Sequence, residues 1–182
     1  MIRIIAGKHR SRQLQLPETE GIRPTTDKVR EALFSMLTHR LGTFEGVWVC
    51  DAFCGTGAYG LEAISRGAEK TFFLDQDRTA LTLAKRNAES LRELAKCGFV
   101  QTDVRRPPSA TRPCHLLLLD PPYHKGLAES GLTALTKNGW AEKAALAAVE
   151  VARDEAFTAP DGWHLQTERN HGPARLILLE LS

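Results

Sequence analysis

The sequence predicts an α/β fold: a mostly parallel, doubly wound sheet with an antiparallel C-terminal edge, preceded by a small basic hairpin-and-helix extension. Three observations lead there. From Gly46 onward, short apolar runs alternate with segments of helical period. A glycine-rich turn, Asp51-Ala-Phe-Cys-Gly-Thr-Gly-Ala-Tyr-Gly60, joins the first apolar run to the first of those helices. The last two runs, Trp163–Glu168 and Ala174–Leu181, flank the turn Asn170-His-Gly-Pro173 with no helix between them.

Taken in order, residues 2–6 and 12–16 are apolar or alternating around Gly7-Lys-His-Arg-Ser11, the pattern of a β-hairpin. Gly21-Ile-Arg-Pro-Thr-Thr-Asp27 follows, where proline holds the chain extended and Thr or Asp can cap a helix. Val29, Ala32, Leu33, Met36 and Leu37 then give that helix one apolar face. Residues 1–42 are thus expected to form an extension on a body spanning 43–182.

In the body, Val47–Cys50 reads as a strand, Ala58–Arg66 as a helix stopped by Gly67, and Thr71–Leu74 as a second strand. Ala80, Leu81, Ala84, Ala88, Leu91 and Ala95 predict one long second helix. Phe99-Val100 centres a third strand, and Leu116–Leu119 is apolar enough to be buried on both faces. A helix over residues 126–137 and a strand over Ala144–Val151 precede the final hairpin.

The 182 residues suit one domain with a full core, and 42% apolar with 25% charged residues is the balance of a globular chain. No run approaches the ~18 apolar residues of a bilayer span. Met1-Ile-Arg-Ile-Ile-Ala is charged too early for a secretory signal, so a cytoplasmic protein is expected. Cys50, Cys54, Cys97 and Cys114 form no CxxC pair, and the six histidines do not cluster, so no metal is expected. Charge is uneven: residues 1–40 hold eight Lys/Arg against four acids, and the remaining 142 residues carry a net −2. A basic arm on a slightly acidic body suits a phosphate-backbone partner.

Two motifs carry chemistry. In the Asp51–Gly60 turn, glycines let the backbone approach a ligand, and the helix N-terminus presents free N–H groups. Asp75, twenty residues after Gly55, is placed to accept hydrogen bonds from ribose hydroxyls. The same spacing fits a dinucleotide fingerprint, and hence a dehydrogenase, but a carboxylate at Asp51 would repel a pyrophosphate and suits the cationic end of S-adenosylmethionine. Asp103, with Val104 beside it, is a candidate for the adenine. The second motif, Asp120-Pro-Pro-Tyr123, ends an apolar strand at the edge where open α/β sheets bind ligands. An exocyclic base amine is a poor nucleophile because its lone pair is delocalised. Asp120 and a neighbouring carbonyl, that of Pro121, can accept both amine hydrogens and favour a pyramidal nitrogen. Pro121 and Pro122 stiffen the loop, and Tyr123 offers a face for a flipped-out base.

On these residues the chain resembles the bacterial small-subunit (16S) ribosomal RNA guanine-N2 methyltransferases. The resemblance covers Arg3–Gly7, the hairpin tip through Arg12, Arg23-Pro-Thr-Thr-Asp-Lys-Val-Arg-Glu-Ala-Leu-Phe34, the glycine turn through Ala68, Asp120–Tyr123 and Asn138-Gly-Trp140. It implies a Rossmann-like, seven-stranded class I methyltransferase sheet and S-adenosylmethionine as cofactor. Asp51, Phe53, Gly55, Thr56, Gly57, Asp75, Gln76, Asp103 and Val104 would hold that cofactor, and Asp120, Pro121, Pro122 and Tyr123 the guanine amine. Lys8, Arg10, Arg12, Arg23 and Arg30 are the RNA candidates, with a structural ion pair an equal alternative for Arg30. The implied partner is 16S ribosomal RNA, naked or within a small-subunit assembly particle, and the chain is expected to be monomeric with no stable protein partner. Departures are Ser11 where the family often has glycine, Asp75 for glutamate, and His124 where a basic residue is common. Amino-methyltransferases acting on DNA adenine N6 or on protein glutamine share the core. Against them stand the lack of room for a DNA-recognition domain and the Asn that glutamine enzymes favour where Asp120 stands.

Overall fold

In the computed structural model, which describes residues 1–18 and 26–182, the glycine-rich turn leaves an interior strand of a seven-stranded sheet. A two-stranded hairpin, β1 (Ile2–Arg3) and β2 (Gln13–Leu14), comes first, followed by α1 (Asp27–Leu41). The body then runs β3 (Trp48–Ala52), α2 (Ala58–Ser65), β4 (Lys70–Asp75), α3 (Arg78–Ser90), β5 (Cys97–Gln101), β6 (Cys114–Leu119), α4 (Leu127–Lys137), β7 (Ala141–Ala152), β8 (Trp163–His171) and β9 (Ala174–Leu181). Strand order is β5-β4-β3-β6-β7-β9-β8. The β3, β4, β5, β6 and β7 pairings are parallel, whereas β9 pairs antiparallel with both β7 and β8. The chain winds outward from β3 through β5, then restarts at β6 on the other side of β3. The carboxyl ends of β3 and β6 therefore flank the topological switch point, where such sheets bind ligands.

Register assigns the faces. Val49 and Asp51 of β3 pair with Thr71 and Phe73 of β4, and with Leu116 and Leu118 of β6. That face packs under α1 and α2, with Leu33, Phe34 and Leu37 against Val49, Leu116, Leu118, Leu146 and Leu176. The opposite face, through Cys50, Leu117, Ala147, Val149 and Ile177, packs under Leu132 and Leu135 of α4. Burying Phe34 and Leu37 completely contributes about 2 kcal/mol apiece. The break expected after residue 42 is therefore not a break in packing, because α1 supplies core side chains to the sheet.

The hairpin is shorter than its sequence pattern, with only Ile2↔Leu14 and Arg3↔Gln13 paired. It is pinned to the body by side chains. The Glu62 carboxylate accepts from the backbone N–H groups of Ile5 and Ala6 at 2.8 and 3.0 Å, and the Ser65 hydroxyl accepts from His9 N–H. Gly7 sits so close to α2 that a Cβ there would lie 1.9 Å from the Ser65 carbonyl oxygen. Ser11 adopts φ +68°, a left-handed backbone that glycine takes up more readily than serine.

Two boundaries differ from the sequence reading. The second helix stops at Ser90, and Arg92 turns the chain at φ +60° so that Leu91 drops into the core. The fifth sheet strand, β7, begins at Ala141, three residues early. A register shift opposite Cys114–Leu116 and a positive φ at Ala144 interrupt its alternation there. The extended segment expected over Gly21–Thr25, with Arg23 and Pro24, lies outside the described residues.

Candidate active site

The glycine-rich turn is held from both sides. Asp51, at the carboxyl end of β3 and 1% exposed, accepts Gly60 N–H on Oδ2 at 2.8 Å. Gly60 must be glycine because a Cβ would meet the Phe73 ring at 2.4 Å. Phe53 and Gly55 are left-handed, at φ +61° and +52°, and Gly57 is the left-handed N-cap of α2. The Asp75 carboxylate accepts Gly55 N–H at 3.1 Å and Asp77 N–H at 2.9 Å, so it shapes the turn from the end of β4.

Asp51 Oδ1 is buried and has no hydrogen-bond partner among the described residues. Burial raises its pKa well above the usual carboxylate value. Gly60 N–H works against that rise, and repulsion from Asp120 and Asp75 adds to it. An unpartnered buried carboxylate oxygen at the switch point is an electrostatic invitation to a cationic group, and it fits the ammonium end of S-adenosylmethionine. Beside Gly55 nothing lies within 4 Å of where a Cβ would stand, so the turn can take a ligand against its backbone.

A cleft of about 320 Å³ adjoins this turn, lined by Phe53, Gln76, Asp103, Val104, Arg105, Pro122, Lys125 and Leu127. It gathers four of the expected cofactor residues with one residue of the Asp120–Tyr123 tetrapeptide. Asp103 is not idle in it. Arg105 grips its carboxylate through Nε and Nη at 3.1 and 2.8 Å, and these bonds hold the Asp103 pKa below its usual value.

Asp120 is half-buried just past β6. Because Asp51 and Ala52 pair with Leu118 and Leu119, Asp120 follows directly on the edge that Asp51 occupies. Pro121 is buried and Pro122 exposed. The Tyr123 hydroxyl donates to Glu150 at 2.6 Å, and His124 turns away at φ +60° to within 3.5 Å of Asp154.

The basic candidates separate into three groups. Lys8, Arg10 and Arg12 are exposed on the hairpin; Lys8 reaches Glu93 at 2.7 Å and Arg12 reaches the Ser90 carbonyl at 2.8 Å. Arg23 lies outside the described residues. Arg30 takes the ion-pair role and not that of an RNA contact: its side chain is fully buried, donates to the Arg3 carbonyl and to Asp27, and stands 3.9 Å from Glu62. Its guanidinium braces the hairpin against α1 and is closed to a phosphate backbone.

Two residues of the site were missed in the sequence. Glu150 is a lone acid in the apolar run Leu146–Ala152, and that isolation was the available signal. Tyr59, inside the glycine motif, donates to the same carboxylate at 2.5 Å. Among the described residues no group of three His, Cys, Asp or Glu gathers to hold a metal, and the four cysteines are free. No described helix is long and apolar enough to cross a membrane. A larger groove of about 650 Å³ lies between α1 and β8, but its Arg40 is already paired with Glu180.

Comparison with known proteins agrees with this geometry. The family model described as Conserved hypothetical protein 95 matches residues 2–180. The Ribosomal RNA small subunit methyltransferase D of Haemophilus influenzae is 36% identical, covering 94% of this chain and 89% of its own length. A solved Escherichia coli structure superposes with a TM-score of 0.83 at 32% identity, covering 100% of this chain and 98% of that one. The Synechocystis magnesium protoporphyrin IX methyltransferase, solved with bound S-adenosylmethionine, shares the fold with a TM-score of 0.63 at 15% identity over 90% of this chain and 87% of that one.

Proposed function

We propose that this chain, which belongs to the Conserved hypothetical protein 95 family together with the ribosomal RNA small subunit methyltransferases D, methylates the exocyclic N2 amine of one guanine in 16S ribosomal RNA. S-adenosylmethionine is its cofactor, and when bound it supplies the electrophilic sulfonium methyl group. The observation that carries the reading is the adjacency of Asp120-Pro-Pro-Tyr123 to the unpartnered Oδ1 of Asp51 across the β3–β6 switch point.

The chain's own residues divide the work. Asp51 and the Gly55–Gly57 backbone bind the amino-acid end of the cofactor, and Phe53, Gln76, Asp103 and Val104 line the cleft for its nucleoside. Asp120 and the Pro121 carbonyl accept the two hydrogens of the guanine amine. That localises its lone pair and orients it, so stabilisation grows as the nitrogen becomes pyramidal and positive. The Tyr123 ring stacks on the extruded base. Lys8, Arg10, Arg12 and Arg23 meet RNA phosphates, placing the hairpin as the RNA-facing part of the molecule. The work is cytoplasmic, on a small-subunit assembly particle in which ribosomal proteins present the guanine.

The test incubates the protein and labelled S-adenosylmethionine with small subunits from cells lacking the gene, alongside bare 16S RNA. Nuclease digestion and mass spectrometry identify the product. N2-methylguanosine at one site is expected, with the particle the better acceptor. Methylation of another base, or of protein alone, refutes the guanine assignment.

A further inference from the structure

Both tyrosines of the chain, Tyr59 and Tyr123, donate their hydroxyls to one carboxylate, that of Glu150. Glu150 is 3% exposed on β7, between the apolar Val149 and Val151. A carboxylate buried in an apolar strand is costly unless hydrogen bonds compensate it, and here two phenols do so. They come from different places. Tyr59 is the second residue of α2, directly after the glycine turn, and its ring stacks 6.1 Å from Phe34 of α1. Tyr123 closes the catalytic tetrapeptide.

We infer that Glu150 is a positioning residue for methyl transfer, fixing the Tyr123 ring in the plane on which the acceptor base stacks. The inference rests on the amino-methyltransferase reading above and assigns the residue that completes its geometry. Pro121 and Pro122 restrict the backbone of the tetrapeptide but leave the two side-chain torsions of Tyr123 free. A ring anchored only at its Cβ swings about both torsions; holding the phenolic oxygen stops the first, and because a phenol O–H lies in the plane of its ring, the place of its acceptor sets the second. Glu150 Oε1 supplies the second anchor, and Oε2, bonded to Tyr59, keeps the carboxylate from following the ring. Stacking geometry is thus tied to the start of α2, the helix whose turn binds the cofactor. Base and methyl donor are referenced to one rigid point, which is what an in-line transfer requires.

Glu150→Gln tests this, because an amide offers its acceptor oxygen on one side only and turns a donor NH2 group toward the other phenol, while its charge is gone. Its kcat on small subunits should fall roughly 10- to 100-fold with the KM for S-adenosylmethionine changed less than about 2-fold. In a double-mutant cycle, Glu150→Gln added to Tyr123→Phe should cost less than about 3-fold more, since the hydroxyl through which it acts is gone. Equal losses in both backgrounds would show that Glu150 acts by general packing and overturn the inference. Tyr59→Phe, which retains the Glu150–Tyr123 bond, should lose less than Glu150→Gln. A second readout needs no catalysis: with ring-13C tyrosine the chain has two tyrosine signals, and Tyr123→Phe assigns them. Glu150→Gln must shift the Tyr123 ring resonances; an unmoved signal also overturns the inference. A shifted signal in a chain inactive on small subunits would refute the RNA acceptor and leave the positioning of Tyr123 standing.

Discussion

The Asn87 side chain donates to the Thr56 carbonyl oxygen at 2.9 Å, joining the last turn of α3 to the glycine-rich turn. The same amide donates to the Gln15 carbonyl at 3.2 Å and accepts Gln15 N–H at 2.7 Å, and it is fully buried. One side chain therefore holds the end of the hairpin and the backbone of the glycine-rich turn.

Replacing it disturbs both. Asn87→Ala removes three hydrogen bonds to backbone groups and should cost about 2–3 kcal/mol in denaturant unfolding. Cofactor affinity measured by calorimetry should fall about 10-fold. A stability loss with unaltered affinity would mean that Thr56 keeps its conformation without Asn87.

Arg30 and the hairpin arginines should behave oppositely. Arg30→Met removes a buried guanidinium that Asp27 and the Arg3 carbonyl rely on, with an expected loss of about 3 kcal/mol in stability. The salt dependence of RNA binding should stay as in the parent chain. Arg10→Ala combined with Arg12→Ala should leave the unfolding midpoint within about 0.5 kcal/mol and reduce the salt slope by about 2. An unchanged slope would remove the hairpin from the RNA interface.

Asp120→Ala should reduce methyl transfer by at least about 100-fold while cofactor affinity stays within about 3-fold, read by single-turnover kinetics and equilibrium binding. Equal loss in both would move Asp120 into a cofactor role.

The raised pKa of Asp51 predicts how cofactor binding follows pH. The protonated form prevails to higher pH than for an ordinary carboxyl, and only the ionised form attracts the cationic ammonium group. Affinity should rise as pH passes upward through the Asp51 pKa and then level off. Asp51→Asn should bind about 10-fold more weakly at high pH and lose the pH dependence. A parallel slope in both proteins would assign the titration to another group.

Glu93 links hairpin docking to acid stability. Burial pushes its pKa up, but hydrogen bonds from Lys8 and His9 outweigh that and bring it below the usual glutamate value. The unfolded chain binds the proton more readily, so this contribution is full above the ordinary glutamate range and fades as pH falls through the lower folded value. Glu93→Gln should therefore destabilise the protein at neutral pH, and the difference should narrow on acidification below about pH 4. A constant difference down to pH 2 would refute the linkage.

How far the site could be read in advance depended on whether its residues were neighbours along the chain. Asp51 with its glycines and Asp120 through Tyr123 are each contiguous, sit at strand ends, and are types that ordinary loops do not need together, so both stood out. Arg30 stayed open between an RNA contact and a structural ion pair because charge is legible in sequence and burial of a single side chain is not. Its true setting depends on Glu62, thirty-two residues away, and on the hairpin closing over it. The roles of Glu150 and Asn87 were hidden for the same reason: the partners of each come from segments 27 to 91 residues distant.

By itself, then, the sequence determined the alternation of strands and helices, the doubly wound sheet and the two motifs at its carboxyl edge. Those are set by hydrophobic period and by backbone-permissive residues, which act locally. The tertiary structure alone decided that α1 belongs to the core, that Arg30 is a brace, and that Glu150 joins Tyr59 to Tyr123. Each of these is a long-range pairing in which burial makes a hydrogen bond obligatory, and only the folded chain says which partner answers it.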